Sequence, residues 1–316
     1  MIKAITICVG YDDYLRLTIP RIVKNVDKLL IVTTEADVRT HELADMSEKI
    51  QIYCTDAFYR NGAHFNKGLA MEEGFDILGR EGWILILDAD IWFPEPMNFP
   101  TLQVGRLYTP ARRILSDVDG LTPEKLEQLN WKKLPLRQEN GNFGYFQLFN
   151  AEDPVIQQLP WYDTDFNHAG GADSVFEKRW SRFNKMRMPF EVVHLGDPDA
   201  NWYGRTRPRI DTGEVPEGAE ARSEMQEALH RKYGWKGRQK TGEQVVERIS
   251  STDGGPEACH NHEAPAGQFQ RVHRNMIVRR NGVPVVVPAP AGKKPAVQPP
   301  EPRLQEIKPV QPKRKK

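Results

Sequence analysis

Two carboxylates follow the most apolar run of the sequence. Residues 82–93 read GWILILDADIWF, so five apolar residues lead directly into Asp88 and Asp90. A strand of this kind is buried, and open parallel sheets bind ligands at the carboxyl ends of their strands. Carboxylates one residue apart are hard oxygen ligands that suit Mg²⁺ or Mn²⁺ bridging a diphosphate. The alternative is that a lone D-x-D is only turn chemistry at a solvated strand end.

Two later segments add an acid and an imidazole. Residues 169–180, AGGADSVFEKRW, place Asp173 at the start of a predicted helix, where the helix dipole favours the ionised form. A carboxylate held there can act as a general base, with Glu177 one turn later as a second candidate. Asp173 could instead only cap the helix. His194 ends a short predicted strand, EVVHLGD, and is either a metal ligand or a core histidine.

The first part of the chain predicts the elements that position these residues. Apolar runs typical of buried strands alternate with helical patterns, and this order is the signature of a parallel sheet with crossover helices. The predicted strands are residues 2–9, 28–33, 50–53 and 83–87, and the predicted helices are residues 14–25, 41–46 and 65–78. We therefore expect an α/β fold with a mostly parallel, Rossmann-like sheet flanked by helices.

The remaining sequence divides into a second half, an extension, a linker and a tail. We predict one domain over residues 1–250, with a first half at 1–95, a second half at 96–210 and a helical extension at 211–250. Residues 251–282 are predicted as a linker. Residues 283–316 contain nine of the 24 prolines, and such a composition predicts a disordered tail.

Composition excludes several classes of protein. The net charge of +1 is the sum of +6 in residues 293–316 and −5 in the rest of the chain. No apolar run reaches the roughly 20 residues that a membrane-spanning helix needs. The N-terminus lacks the pattern of a secretory signal. Three cysteines, Cys8, Cys54 and Cys259, are too few for a disulfide framework and favour a reducing, cytoplasmic setting.

These segments together resemble the GT-A class of nucleotide-sugar glycosyltransferases, over roughly residues 1–210. The resemblance implies that residues 1–95 are the nucleotide-binding half and residues 96–210 the acceptor half. The resemblance implies that Asp88, Asp90 and His194 hold a divalent metal, for which the imidazole favours Mn²⁺ over Mg²⁺. It also implies that Asp173 is the base of an inverting reaction. Members of this class often carry Glu-Asp at that point, whereas here Ala172 precedes the aspartate.

The resemblance also implies a nucleotide-sugar site over the ends of the first two strands and beside the D-x-D. The residues expected to line it are Val9, Tyr11, Asp12, Thr33, Glu35, Asp37, Asn66, Lys67, Asp88 and Ala89. Further candidates are Arg205 and Arg207 as diphosphate ligands, and Trp161, Tyr162, Trp202 and Tyr203 as aromatic platforms for a sugar. For each single residue the alternative is an ordinary loop or core position.

The function predicted from the sequence is transfer of a hexosyl or pentosyl group from a nucleotide-diphosphate sugar to an acceptor hydroxyl. A sugar-nucleotide nucleotidyltransferase and a non-catalytic GT-A-like binding protein are the alternatives. The acceptor is left open as a glycan, a protein or a nucleic acid. The basic tail predicts a contact with a polyanion, because lysines and arginines bind such surfaces by releasing counterions.

Overall fold

The computed structural model describes residues 1–137, 144–198, 201–232, 275–280 and 283–288. Within these residues a sheet of eleven strands forms the centre of the molecule. The strands are β1 (Ile2–Ile7), β2 (Lys28–Thr33), β3 (Ile50–Cys54), β4 (Trp83–Leu87), β5 (Ile91–Trp92), β6 (Leu107–Leu115), β7 (Leu136–Arg137), β8 (Phe146–Asn150), β9 (Lys185–Leu195), β10 (Asn275–Arg280) and β11 (Val283–Pro288).

Helices cover the sheet and connect its strands. The α-helices are α1 (Asp12–Ile22), α2 (Val38–His41), α3 (Lys67–Leu78), α4 (Pro123–Glu127), α5 (Ala172–Glu177) and α6 (Ala219–Lys232). Single turns of 3₁₀-helix occupy Glu42–Met46, Arg60–Gly62, Trp131–Lys133, Pro154–Ile156 and Arg182–Asn184. None of the helices in the described ranges is both long and apolar enough to cross a membrane.

The strand order is β11-β10-β3-β2-β1-β4-β8-β6-β9-β5, with β7 paired to β6. Strands β3, β2, β1 and β4 pair in parallel, as the alternating pattern of the first 87 residues predicts. Beyond β4 the sheet is mixed, because β8 runs antiparallel to β4 and β6, whereas β6 and β9 are parallel. The α/β fold class is thus confirmed, with its parallel part in the N-terminal half.

The predicted linker and tail differ from the structure at one place. Strands β10 and β11 pair antiparallel with each other, and β10 adds to the edge of the sheet beside β3. These strands lie in segments that proline content and polarity had assigned to a linker and a tail. The β-branched run Val285–Val287 favours a strand, but the average composition of the surrounding proline-rich segment hides this local preference. The rest of the predicted linker and tail lies outside the described residues.

Helix α3 packs closely on the sheet and on a neighbouring loop, and two glycines allow these approaches. A Cβ at Gly74 would lie 2.7 Å from Ile5 Cδ1 in β1 and 2.8 Å from Val32 Cγ2 in β2. A Cβ at Gly68 would lie 1.9 Å from the backbone oxygen of Asp163, in the segment between β8 and α5. Because neither position leaves room for a side chain, the helix is held between the sheet and this segment, and its first residue, Lys67, has a fixed place.

Candidate active site

Asp90 and His194 meet because β5 pairs with β9. Ile91 lies opposite His194 in this ladder, and the backbone oxygen of Asp90 accepts a hydrogen bond from Leu195 N at 2.9 Å. His194 Nε2 then lies 3.7 Å from Asp90 Oδ2. His194 Nδ1 lies 2.9 Å from the carbonyl oxygen of Gly196, which can only accept, so Nδ1 carries a proton. In the neutral ring Nε2 therefore presents a lone pair towards the carboxylate.

Asp90 is incompletely satisfied in its buried position. Its Oδ1 atom is inaccessible to solvent and accepts no hydrogen bond from the described residues. Burial raises the pKa of Asp90, the positive field of His194 opposes this, and the charge of Asp88 adds to it. A buried carboxylate oxygen without a donor is costly and marks a place where a cation or a proton would be stabilised.

Asp88 points to a lysine instead of to this pair. Lys67 Nζ lies 3.1 Å from Asp88 Oδ1 and 3.1 Å from Asp173 Oδ2, so one ammonium joins residues from β4 and α5. Although burial lowers the pKa of Lys67, the charges of Asp173 and Asp88 raise it on balance. Across the described ranges, no three His, Cys, Asp or Glu side chains form a group that could hold a metal ion.

Asp173 lies in the first turn of α5 and is not its N-cap. The N-cap is Gly171, with a φ of 97° that favours glycine, so the capping alternative is wrong. The Tyr162 hydroxyl lies 2.9 Å from Asp173 Oδ1 and 2.5 Å from Gln147 Oε1. Burial raises the pKa of Asp173, and the Lys67 ammonium opposes this. Glu177, the second candidate base, is instead 3.4 Å from Lys185 Nζ.

A cavity of about 680 Å³ lies at the carboxyl ends of β1 and β2, next to β4 in the sheet, and its lining does not include Lys67, Asp88 or Asp173. Of the residues predicted to bind a nucleotide, Val9 and Asp37 line it. Asp37 Oδ2 accepts hydrogen bonds from Gly10 N at 2.7 Å, Thr33 Oγ1 at 3.1 Å and Thr40 Oγ1 at 2.7 Å. No described residue donates to Asp37 Oδ1. Asp37 thus shapes the cavity and keeps one oxygen available to a ligand.

Several predicted ligand residues have structural partners. Asn66 caps α3 by accepting from Leu69 N at 2.8 Å, and the backbone oxygen of Ala89 accepts from Thr18. Asp12 is buried against the Arg209 guanidinium, with distances of 2.7 and 2.8 Å. Tyr11 lies beneath the Arg205 guanidinium, 5.0 Å from it. Thr33 is buried behind Asp37, and Glu35 is exposed outside the cavity lining.

The proposed diphosphate and sugar contacts also need revision. Arg205 forms a two-point ion pair with buried Asp13, at 2.5 and 2.7 Å. Asp13 therefore neutralises the charge that was predicted to bind a diphosphate. Arg207 pairs with Asp197 at 3.0 Å. Trp161 and Tyr162 are core residues and offer no open face for a sugar. Their sequence pattern does not separate a buried aromatic from an exposed one.

The opposite wall of the cavity comes from residues that sequence reasoning missed or left undecided. Tyr59, His64 and Phe65 contribute aromatic surface, and Tyr203 and Arg222 approach from the segment leading into α6 and from that helix. Arg222 donates to the carbonyl oxygens of Arg205 and Glu217, each at 2.8 Å. No described carboxylate pairs with it. Arg222 carries no motif, so only the fold brings its positive charge to the cavity.

Comparison with known proteins gives distant matches only. No sequence family and no curated protein matches the chain. A 4-diphosphocytidyl-2C-methyl-D-erythritol synthase from Anaerococcus prevotii is 13% identical, covering 73% of this chain and 96% of its own, with a TM-score of 0.35. S. aureus TarS is 7% identical, with coverage of 64% and 37% and a TM-score of 0.36.

A third solved structure is a putative glucose-1-phosphate thymidylyltransferase from Bacillus anthracis. It is 12% identical to this chain and covers 73% of it and 96% of its own length, with a TM-score of 0.32. Likeness at these TM-scores supports no argument about function. The functional conclusion therefore rests on the geometry of this chain's own residues.

Proposed function

We propose that this protein transfers a sugar from a nucleotide-diphosphate sugar to an acceptor hydroxyl, with inversion and with Asp173 as the base. One observation carries the proposal. Asp88 and Asp173, which come from two separate sequence motifs, meet on the Lys67 ammonium. A cavity of about 680 Å³ lies along the same sheet edge, at the ends of β1 and β2. A carboxyl group, a buried cation and a cavity at the carboxyl edge of one sheet are the parts that such a reaction requires.

The cavity supplies features that fit the nucleotide part of a donor. The aromatic side chains of Tyr59 and Tyr203 offer surface for a nucleobase, and the free oxygen of Asp37 can accept from a base N–H. Arg222 offers a positive charge with no carboxylate partner among the described residues, and a guanidinium suits a phosphate. A donor held here would have its reacting end directed along the sheet edge to Lys67.

Asp90 and His194 fit a divalent metal. The unpartnered Asp90 Oδ1 and the lone pair on His194 Nε2 are an oxygen and a nitrogen ligand of the type Mn²⁺ accepts. Asp88 would join them if its contact with Lys67 were released. The bound metal would neutralise the phosphate leaving group, while Asp173 removes the proton of the acceptor hydroxyl.

The test is turnover of a panel of nucleotide sugars with Mn²⁺ or Mg²⁺ present. We expect Asp173→Asn to lower the rate by about 100-fold or more, because general base catalysis contributes at least that factor. Asp76→Asn is the matched control, since Asp76 lies exposed on α3 and pairs with Arg80. Transfer that survives in Asp173→Asn would contradict the assignment of the base.

A sugar-nucleotide nucleotidyltransferase is the second candidate, and the position of Lys67 favours it. A buried ammonium at the sheet edge can neutralise transferring phosphates without help from a base. This reaction consumes a nucleoside triphosphate and a sugar 1-phosphate and releases pyrophosphate. Pyrophosphate release that depends on Lys67 and is unaffected by Asp173→Asn would establish this candidate over the first. Nucleotide binding without any turnover would establish the non-catalytic alternative.

A further inference from the structure

Behind the catalytic face, three oxygen atoms form a short buried chain that ends on Asp173. Gln147 Oε1 lies 2.5 Å from the Tyr162 hydroxyl, and this hydroxyl lies 2.9 Å from Asp173 Oδ1. Both Gln147 and Tyr162 are completely buried. A glutamine and a tyrosine with no access to water must satisfy each other and Asp173, so the positions of their protons can be deduced.

The orientation of the Gln147 amide is fixed by its other contact. Gln147 Nε2 lies 3.2 Å from the backbone oxygen of Asp173, which can only accept a hydrogen bond. The amide nitrogen must therefore face this oxygen, and Oε1 must face Tyr162. Because an amide oxygen has no proton, the short contact of 2.5 Å requires the Tyr162 hydroxyl to donate to Gln147.

The remaining contact then lacks a proton. With its hydrogen directed to Gln147, the Tyr162 oxygen faces Asp173 Oδ1 only with lone pairs, at 2.9 Å. Two acceptor oxygens at hydrogen-bond distance need a proton between them, and the carboxyl group of Asp173 is the member of the pair that can supply it. The arrangement seen here is therefore that of a neutral Asp173, protonated on Oδ1.

The charged groups around Asp173 act in both directions. Lys67 lies on its other oxygen and favours the ionised form, whereas Asp88 and burial favour the neutral form. Glu177, one turn further along α5, also carries a charge that interacts with Asp173. Burial raises the pKa of Tyr162, so this hydroxyl keeps its proton and cannot itself act as the base.

We propose that Tyr162 and Gln147 are positioning residues that adapt to both protonation states of Asp173. When Asp173 is ionised, the Tyr162 hydroxyl donates to Oδ1 and holds the carboxylate ready. When Asp173 is neutral and carries its proton on Oδ1, the Tyr162 O–H donates to Gln147 Oε1, and the Tyr162 oxygen accepts from the carboxylic acid. Tyr162 keeps its proton in both states. Asp173 as base belongs to the proposed function, but this pairing can be measured without it.

The test is a titration of Asp173 by infrared spectroscopy, in which the neutral carboxyl band is isolated by subtracting the spectrum of Asp173→Asn. In the wild-type chain we expect Asp173 to stay neutral well above about pH 4, where an ordinary aspartate ionises. Tyr162→Phe removes a hydrogen bond from both states of Asp173, and because the bond to the carboxylate is the stronger of the two, it is expected to raise this midpoint by about one pH unit. Gln147→Met removes the competing acceptor and is expected to lower it by a similar amount.

Opposite shifts in the two variants distinguish positioning from a merely structural effect. Tyr108→Phe is the control, because Tyr108 is a buried tyrosine whose oxygen accepts from Gln103 N at 2.8 Å, and it should leave the midpoint unchanged. Shifts in the same direction, or a wild-type midpoint near pH 4, would overturn the proposal. If one variant does not fold, the direction of the shift in the other decides alone. Opposite shifts without any sugar transfer would uphold the pairing and reject the proposed function.

Discussion

Two groups of buried carboxylates lie near the same edge of the sheet and differ in how completely their charges are paired. Asp12 and Asp13, at the start of α1, each receive both arms of an arginine, Arg209 and Arg205 respectively. We call these two ion pairs the clamp. Neither Asp90 nor Asp173 forms a two-point ion pair with an arginine among the described residues, although the charge of Arg112 acts on Asp90. Asp90 has an oxygen without a donor, and Asp173 shares Lys67 with Asp88.

The difference distinguishes carboxylates that stabilise the fold from carboxylates that are available for a reaction. A carboxylate that receives a two-point ion pair is satisfied in place, and Asp13 also accepts from the backbone N–H groups of Tyr14 and Ile210. A buried carboxylate with one oxygen unpaired, or with a partner it must share, is unstable in place and responsive to a proton, a metal or a phosphate. The clamp therefore holds the fold, and the second group is where we place the reaction.

The largest effect is expected from breaking the clamp. Arg205→Met leaves Asp13 buried without a partner, and breaking such a pair costs about 3–5 kcal/mol. We expect the free energy of unfolding, measured in denaturant, to fall by this amount. The double variant Arg205→Met, Asp13→Asn should recover much of the loss, since no charge is left unpaired. A loss below about 1 kcal/mol in the single variant would show that the clamp is only a surface contact.

Removing Lys67 should destabilise less and with a marked pH dependence. Lys67→Met leaves Asp88 and Asp173 facing each other, and we expect a loss of about 2–3 kcal/mol at neutral pH. Asp88 is 36% exposed, so water screens part of the repulsion. Because the folded state raises the pKa of Asp173, its proton stabilises the fold at low pH, and this contribution is lost as the pH rises through the raised pKa.

The measurement is the difference in unfolding free energy between wild type and Lys67→Met over a pH series. The difference should be smallest near pH 4 and grow towards neutral pH, as the two carboxyl groups ionise. Lys125→Met is the control, since the Lys125 ammonium donates to the carbonyl of Gly120 at an exposed site. A difference that does not vary with pH would contradict the view that Lys67 acts through these carboxylates.

In the cavity, Arg222 is a cation that pairs with no carboxylate of the described residues. We expect Arg222→Gln to weaken binding of uridine diphosphate, or of the nucleoside diphosphate that binds best, by about tenfold in calorimetry. The matched control on the same helix is Arg231→Gln, because Arg231 is exposed and contacts only Glu227 among the residues described. If the two variants weaken binding equally, Arg222 does not contact the phosphates.

The smallest effect, and the one opposite in sign, is expected at Asp90. Asp90→Asn replaces a buried, incompletely paired carboxylate by a neutral amide of similar shape. We expect an unfolding free energy that is unchanged or raised by about 1 kcal/mol, whereas the stabilisation of the wild type by added Mn²⁺ should disappear. A strongly destabilised Asp90→Asn variant that Mn²⁺ still stabilises would show that Asp90 has a structural role, like the carboxylates of the clamp.

The sequence predicts the parallel half of the fold well, because hydrophobic periodicity and the residues that begin and end helices and strands are local signals there. The run KLLIVT becomes β2 without a change of boundary, and α4 begins where Thr122, which caps it by accepting from Lys125 N, is followed by Pro123. The D-x-D at the end of β4 and Asp173 in the first turn of α5 are also local features. Their identity as candidates follows from the strand or helix that each one borders.

Partnership between distant residues could not be predicted in the same way. Nothing near Asp12 shows that Arg209 will cover it, so a buried structural acid resembles a ligand in the sequence. Gln147 offers a weak signal, since it is a polar residue inside the buried strand FQLFN, and such a residue needs a partner. The sequence predicts that this partner, Tyr162, is a platform for a sugar, because aromatic composition alone does not indicate whether a side chain is buried.

The clamp also governs the order in which the molecule can be completed. Its ion pairs join residues separated by 192 and 197 positions in the chain. During synthesis the parallel strands and α1 emerge first, and contacts of such high sequence separation form slowly and late. The cavity wall carrying Tyr203 and Arg222 therefore closes after the parallel strands have formed. A growing chain would acquire β1 to β4 long before its cavity is complete.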